Sequence, residues 1–223
     1  MFHAHRDSAT GDDSLGQVYD TRQMSDPRVR RTIRAIEEAA LELLETEGWD
    51  ALTAARLCRA AGVARSTFYL HYESTWEPVF TALRRRFYER FPEYGTDPPA
   101  LDPESLLASG RPLSYPVFAH IEEHVELYRL ILGSPDGAQV ARRLEDAIAE
   151  ISRAQHAALR ELSNETIDAD LTAAYLAGAA VASARMWVFS EPRRPASAMA
   201  YWFSRMAAPG LLEIMGLRHL LEG

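Results

Sequence analysis

The chain has 223 residues, a formal net charge of −8 and a hydrophobic fraction of 47%. That hydrophobic fraction excludes a largely disordered protein, and the lack of any run of 18 apolar residues argues against a membrane span. Cys58 is the only cysteine, so no intrachain disulfide can form. No basic, apolar and small-residue leader opens the sequence. We therefore expect a cytoplasmic protein.

The charges are distributed unevenly along the chain. Residues 27–91 carry 11 arginines against 9 acidic residues, a balance of +2. Residues 92–223 carry 11 against 18, and residues 1–26 carry 2 against 5. Because the local field matters more than the total charge for contact with nucleic acid, residues 27–91 are the part suited to DNA.

The first elements in chain order are a tail and an amphipathic helix. Residues 1–26 are polar, acidic and without periodicity, so we expect a flexible acidic tail. Apolar residues with helical spacing follow, and they predict one helix face: Ile33, Ile36, Ala40, Leu43 and Leu44.

Two short helical patterns then meet at Gly62. Thr53 can cap the first helix through its hydroxyl, and Gly62 provides the positive φ that a tight turn needs. Val63 and Phe68 can anchor the second helix. This arrangement leaves polar groups near the exposed start of the second helix: Arg65, Ser66, Thr67, Tyr69 and His71. A compact helix–turn–helix of this kind is a DNA-reading unit. The run Ser74 to Glu77 then predicts a capping box for a third helix.

The run from Gly62 to Ser74 resembles the signature of the TetR family of bacterial transcriptional regulators. The matching residues are Gly62, Val63, Thr67, Phe68, Tyr69, His71 and Ser74, with Tyr72 in place of phenylalanine. The resemblance is detailed over about residues 28–91 and architectural beyond. It implies an all-α fold, with an N-terminal three-helix DNA-binding domain followed by a larger helical ligand-binding and dimerisation domain.

The resemblance also implies the contacts with double-stranded DNA. Tyr69 and His71 correspond to phosphate contacts, and Thr53 to a residue that caps its helix and touches the DNA backbone. Arg65 and Ser66 are the candidates for reading bases, with Arg65 on a phosphate as the alternative. The candidate DNA-binding set is Thr53, Arg56, Arg65, Ser66, Thr67, Tyr69, His71 and Thr75.

Three departures from the family pattern matter, one of them being Trp76, which stands where the family has an acidic residue that comes here one residue later, at Glu77. Ala64 stands where the family has a serine or threonine that caps the reading helix. Thr75 stands where the family has a lysine that contacts a phosphate. We therefore expect DNA binding to depend less on salt than is usual for the family.

The remaining chain predicts a helical second domain. We divide the sequence into a tail (1–26), a DNA-binding domain (27–74), a connecting helix (75–91) and a ligand-binding and dimerisation domain (92–223). The last begins with a linker over 92–112 that is rich in proline and glycine. An apolar stripe from Val117 to Leu132 predicts one helix, and two closing helices are expected over roughly 168–190 and 195–216. By resemblance, the closing pair forms a homodimer interface; the alternative is that it completes a monomer core.

The resemblance implies a repressor that binds a palindromic operator and is released by a small hydrophobic or aromatic effector. The candidate effector-binding residues are His120, His124, Tyr128, Tyr175 and Trp187. The first alternative is a DNA-binding regulator that no small molecule controls. We expect no cofactor and no membrane partner.

A second alternative comes from the segment His120 to His124, which matches the H-x-x-E-H pattern of metal-dependent hydrolases. Two imidazoles at positions i and i+4 of one helix can bind zinc, with a carboxylate nearby as the base. No distant residue stands out as the third ligand, so we expect neither an enzyme nor a metal site.

Overall fold

The computed structural model describes residues 26–94, 112–160 and 168–217, and in these ranges it contains nine α-helices and three short 3-10 helices. No strand occurs in these ranges, and the all-α prediction is confirmed. The helices are α1 (Pro27–Glu47), α2 (Ala54–Ala61), α3 (Arg65–His71), α4 (Glu77–Arg90), α5 (Tyr115–Glu123), α6 (Val125–Gly133), α7 (Ala138–Arg160), α8 (Ala169–Val188) and α9 (Ala196–Ile214). We call α1 to α3 the head and α5 to α9 the body, with α4 between them.

The predicted cap of α2 and the predicted turn after it are confirmed, and α1 has a cap that was not predicted. Asp26 caps α1 by accepting a hydrogen bond from the Arg28 amide at 2.8 Å. Thr53 caps α2 by accepting from the Arg56 amide at 3.4 Å. Gly62 ends α2 in the left-handed region at φ 66°, where a side chain would be strained.

The capping box predicted over Ser74 to Glu77 is wrong. Helix α4 begins only at Glu77, and its cap residue is Trp76, which makes no side-chain capping bond. The Glu77 carboxylate instead accepts a hydrogen bond from the Glu73 amide at 2.8 Å. The carboxylate thus satisfies an amide one residue earlier than the box requires, and the Ser74 hydroxyl has no partner among the described residues.

The single helix predicted through Val117 to Leu132 is also wrong. Helix α5 ends at Glu123, and His124 leaves the helical region at φ −124° and ψ 33° before α6 begins at Val125. The apolar residues keep their helical spacing across His124, because the break lies between two apolar turns. Periodicity alone therefore did not reveal it. The two closing helices agree with their predicted ranges, as α8 and α9.

Two predicted segments fall mainly in undescribed parts of the chain. The acidic tail lies outside the described residues except for Asp26. The linker lies outside them over residues 95–111.

A polar network joins α1 to α4 beneath the end of α3. Glu37 of α1 is only 3% exposed, and its carboxylate accepts a hydrogen bond from Arg85 Nε of α4 at 2.6 Å. Tyr72, at the end of α3, directs its hydroxyl toward Glu37 at 3.5 Å and toward the Thr81 hydroxyl at 3.3 Å. Arg85 also contacts Glu38 at 2.5 Å. The end of α3 is therefore tied to α4 through buried polar contacts.

The head also contacts the body directly. The indole N–H of Trp49, just after α1, donates to the backbone carbonyl of Leu130 in α6 at 3.0 Å. Helix α4 packs on α1 and on α7, and the buried apolar residues of head and body form one continuous core.

Within the body, α8 packs mainly on α7, and α9 packs mainly on α5. Helix α8 is long and apolar enough to cross a membrane by length and composition alone, with a mean hydropathy of 1.2. Only 33% of that apolar window is buried. Helix α8 thus leaves much apolar surface without a partner in one chain.

Candidate nucleic-acid interface and adjoining cavity

Helix α3 exposes one side and buries the other. Phe68 is fully buried and anchors the helix against the head core. Arg65 and Ser66 lie exposed in the first turn, and Tyr69 is 50% exposed one turn later. Three of the candidate DNA-binding residues therefore lie together on one exposed side of a short helix, the arrangement that major-groove reading requires.

Arg65 and Tyr69 form a pair on this surface. The Arg65 guanidinium lies 5.6 Å from the centroid of the Tyr69 ring, and its Nη2 is 3.4 Å from the Tyr69 hydroxyl. The hydrogen bond to Tyr69 raises the pKa of Arg65. The pair presents several hydrogen-bond donors, which suit guanine edges or phosphate oxygens.

The other candidates for DNA contact lie around this pair. Thr67, His71 and Thr75 are partly exposed. Burial lowers the pKa of His71, so its imidazole is neutral near pH 7 and donates from one nitrogen only. Thr53 is exposed at the start of α2. Arg56 forms an ion pair with Glu47 of α1, and this bond raises the pKa of Arg56. Arg56 would therefore have to leave Glu47 to reach a phosphate.

Leu70 is a surface residue that the sequence did not single out. Its side chain is 72% exposed, next to Tyr69 on the reading helix. An exposed apolar side chain there can contact a thymine methyl group. Its position in the sequence could have indicated this exposure. Leu70 lies two residues after the buried Phe68, and residues two apart in a helix do not lie on the same face.

The start of α3 has no side-chain cap. Ala64 holds the cap position with φ −70° and ψ 152°, the extended geometry of a capping residue, and makes no side-chain bond. We expect Ala64→Ser to raise the free energy of unfolding by about 1 kcal/mol, because the hydroxyl would satisfy an unpaired amide of the first turn. Urea denaturation followed by circular dichroism measures this difference.

Ala60→Ser is the matched control for this prediction. Ala60 is exposed inside α2, where serine caps nothing and costs about 0.5 kcal/mol in helix propensity. Equal effects of the two substitutions would contradict a capping role for position 64.

An apolar cavity lies between α4 and the body. It contains about 630 Å³ of space not filled by atoms, including open solvent at its mouth. Its wall is mainly apolar: α4 contributes Phe80 and Phe87, α7 contributes Leu144 and Ile148, and α8 contributes Ala180 and Ala184. Apolar walls with few polar groups are typical of sites for small organic molecules.

The five candidate effector-binding residues separate into two groups. His120 and Tyr128 line the cavity, and His124 lies beside His120 with a centroid distance of 4.8 Å. Tyr175 does not line it, because its side chain is 65% exposed on the outer side of α8. Trp187 does not line it either: its indole is buried and donates to the Arg194 carbonyl at 2.8 Å.

Burial controls the titration of the polar groups in this region. It lowers the pKa of His120 to about 3, with the charges of His124 and Arg86 acting in the same direction. Burial also lowers the pKa of His124 and raises that of Tyr128. All three side chains are therefore neutral near pH 7, and the inner part of the cavity wall has little charge.

The rim of the cavity has charged groups that the sequence did not indicate. Arg84 lines both the cavity and an adjoining groove that contains Arg143, Asp146 and Glu150. The guanidiniums of Arg84 and Arg143 lie 5.5 and 5.8 Å from the centroid of the Phe80 ring. The next two arginines along the chain, Arg85 and Arg86, are bound to acidic residues of α1.

A second exposed surface lies on α8 and α9 and in the turn after α8. Its large apolar side chains are each at least half exposed: Leu171, Tyr175, Met186, Phe189, Tyr201, Trp202, Met206 and Ile214. We call these residues the outer apolar face. A monomeric protein seldom exposes so many large apolar groups on neighbouring elements.

Comparisons with known proteins identify what this arrangement is similar to. Residues 36–76 match the family model described as bacterial regulatory proteins of the tetR family. A comparison with curated proteins gave no match.

Several solved structures share the fold. A TetR transcriptional regulator from Streptococcus agalactiae is 20% identical, with a TM-score of 0.52 over 83% of this chain and 98% of that one. The dihydroxyacetone kinase operon activator DhaS is 14% identical, with a TM-score of 0.54 over 82% and 96%. FadR from Bacillus subtilis, solved with stearoyl-CoA, is 14% identical, with a TM-score of 0.52 over 79% and 98%.

Proposed function

Because residues 36–76 match the tetR family model and the described chain has a TetR-like fold, we propose that this protein is a ligand-responsive, DNA-binding transcriptional regulator. The observation that supports this most directly is the exposed surface of α3, where Arg65, Ser66 and Tyr69 lie together above the buried Phe68. No catalytic step is part of the proposal, and the protein acts on DNA in the cytoplasm.

We assign the parts of this function to segments of the chain. Residues 27–74 bind DNA, residues 75–91 connect, and residues 92–223 bind the effector and dimerise. The candidate DNA-binding residues keep their assigned roles, with Arg56 available only after it leaves Glu47. Of the candidate effector-binding residues, we retain His120, His124 and Tyr128.

We propose that the outer apolar face joins two copies of the chain. A homodimer with a two-fold axis would bury this face and place two reading helices on the two halves of a palindromic operator. Tyr201, Trp202 and Met206 lie on α9 with Met206 70% exposed, so this helix would supply much of the contact.

We expect Met206→Glu to weaken the dimer at least about 10-fold, because the interface would bury an unpaired carboxylate in each copy. Sedimentation velocity over a range of protein concentrations measures this change. Gln139→Glu is the control, since it adds the same charge at an exposed position of α7. A dimer that persists unchanged in Met206→Glu would place the interface elsewhere.

We propose that the effector is a hydrophobic or aromatic molecule with an acidic end. The apolar wall suits the hydrophobic part, and Arg84 at the rim suits a carboxylate or phosphate. The complex of the FadR fold neighbour with stearoyl-CoA supports this class, since that ligand joins a long apolar chain to phosphates.

The proposed response operates through α4. This helix lines the cavity with Phe80 and Phe87 and binds α1 through Arg85. A ligand that fits one position of α4 better than another shifts the balance between the two head positions. A coupling of about 1–3 kcal/mol would change operator affinity roughly 5–150-fold. We propose release of the operator, and hence repression in the absence of effector.

Selection of bound duplexes from a random DNA library tests the proposal. We expect a palindromic consensus, and then release of that duplex by long-chain acidic amphiphiles added to the purified protein. Failure to enrich any sequence would overturn the DNA-reading function. A consensus that no cavity-sized hydrophobic molecule affects would favour the alternative of a regulator without small-molecule control.

A further inference from the structure

Three potential metal ligands come together at the end of α5. They are a nitrogen of His120, a carboxylate oxygen of Glu123 and a nitrogen of His124, and these atoms all lie within 4.8 Å of one another. The two imidazole rings have a centroid distance of 4.8 Å and an interplanar angle of 72°. Because α5 stops at Glu123, His124 is not held in helical geometry.

His120 is an unusual residue for a protein core. It is 3% exposed, and neither ring nitrogen has a hydrogen-bond partner of normal geometry within the described ranges. Its ring contacts are aromatic, with Phe87 at 5.6 Å and Tyr128 at 5.9 Å between centroids, and the Leu83 carbonyl is the backbone group that acts on it. Buried polar groups without partners are costly and rare, so a further partner for His120 is called for.

We propose that His120, Glu123 and His124 form a binding site for a divalent transition-metal cation of the Zn²⁺ type. Two imidazoles and one carboxylate are the ligands that such borderline cations prefer. Three protein ligands leave a coordination position open, as in zinc sites that retain a water molecule. Neutral imidazole is the form that binds metal.

The ligand atoms must draw closer together to hold the cation. At tetrahedral angles, zinc–nitrogen bonds of about 2.0–2.1 Å place two ligand atoms about 3.4 Å apart, whereas the ligand atoms here lie within 4.8 Å of one another. Glu123 is exposed and His124 is half-buried, so rotation of these two side chains can close the gap while His120 stays in place.

The surrounding charges make this site sensitive to the position of α4. Glu123 forms an ion pair with Arg90 of α4 at 3.1 Å, so a cation would compete with Arg90 for that carboxylate. The positive charge of Arg86 acts on both imidazoles, although Glu38 holds Arg86 at 2.7 Å. Glu45 of α1 adds a negative charge that acts on His124. Metal binding and the Arg90–Glu123 contact are therefore alternatives at the junction of α4 and α5.

The test is a Zn²⁺ titration of the full-length protein in competition with a chromophoric chelator. We expect one high-affinity equivalent per chain, weakened at least about 10-fold in Glu123→Gln, as expected when a ligand set is disrupted. Arg90→Gln removes the competitor and should tighten binding up to about 5-fold, since exposed ion pairs are weak. Glu126→Gln, an exposed carboxylate in the next helix, should leave affinity unchanged.

Co²⁺ provides a second readout, because its visible absorption reports nitrogen and oxygen ligands in a tetrahedral site. We expect that absorption to disappear in His124→Ala, a partly exposed position where the fold should tolerate the change. Full binding in both Glu123→Gln and His124→Ala would overturn the proposal and place the metal elsewhere, for example at His3 and His5. This outcome is independent of DNA binding.

Discussion

We expect Arg85→Leu to lower the free energy of unfolding by about 3 kcal/mol, because the substitution leaves the Glu37 carboxylate buried without its cation. Glu37 is 3% exposed, and its carboxylate accepts a hydrogen bond from Arg85 Nε at 2.6 Å. Burial tends to lower the pKa of Arg85, but its hydrogen bonds to Glu37 and Glu38 outweigh burial and raise it. The estimate lies at the low end for buried pairs, since the Arg85 side chain is 22% exposed.

Urea denaturation at a fixed protein concentration measures this loss. The double variant Glu37→Met/Arg85→Leu should recover much of it, because replacing both partners by apolar groups removes the stranded charge. The Tyr72 hydroxyl keeps Thr81 as a partner in that variant. A double variant as unstable as Arg85→Leu would show that packing of the arginine, and not the buried carboxylate, sets the cost.

We expect Arg65→Ala to weaken binding of the selected operator about 10-fold or more, the loss typical of one arginine contact with a base edge. Arg65 is exposed at the start of α3 and contacts no residue except Tyr69 in the hydrogen bonds and ion pairs of the described chain. Its removal should therefore leave the fold intact. Fluorescence anisotropy with a labelled duplex measures the affinity, and Arg142→Ala, which removes an exposed arginine from α7, is the control.

The same variant separates two roles for Arg65. If Arg65 reads a base, the loss will be confined to duplexes with the preferred base at one position. If it contacts a phosphate, affinity will fall uniformly across sequences, and the slope of binding against salt will decrease by about one. An unchanged operator affinity would remove Arg65 from the interface.

The head was largely predictable because its signals are local. Thr53 caps a helix and Gly62 adopts positive φ through bonds within a few residues, so the order of residue types fixes both. The exposed position of Arg65 and Tyr69 follows in the same way from the buried Phe68 between them. The missing cap at Ala64 was equally visible, because an alanine has no atom that could serve.

The cavity was less predictable because it depends on packing between distant helices. Tyr175 and Tyr128 are the same residue type in apolar helices, yet one is 65% exposed and the other 5%. The packing of α6 and of α8 against their neighbouring helices decides between them. Arg84 lines the cavity, yet nothing in its neighbours along the chain indicates that α4 borders one.

The break in the helical run at His124 was likewise not predictable from the sequence. An apolar stripe continues through it, so the sequence predicts an uninterrupted helix. The hydrogen-bond ladder of α5 ends at Glu123, where the His124 amide bonds to the Ile121 carbonyl, and residue order does not display this end.

The bond from the Trp49 indole to the Leu130 carbonyl restricts how the head can move. Helix α1 also packs on α6, and the apolar core continues from the head through α4 into the body. The head therefore has little freedom to move by itself and should move together with α4. Effector binding against α4 should then shift each α3 as part of one unit, and in a dimer these two shifts would change the spacing between half-sites instead of loosening the heads at random.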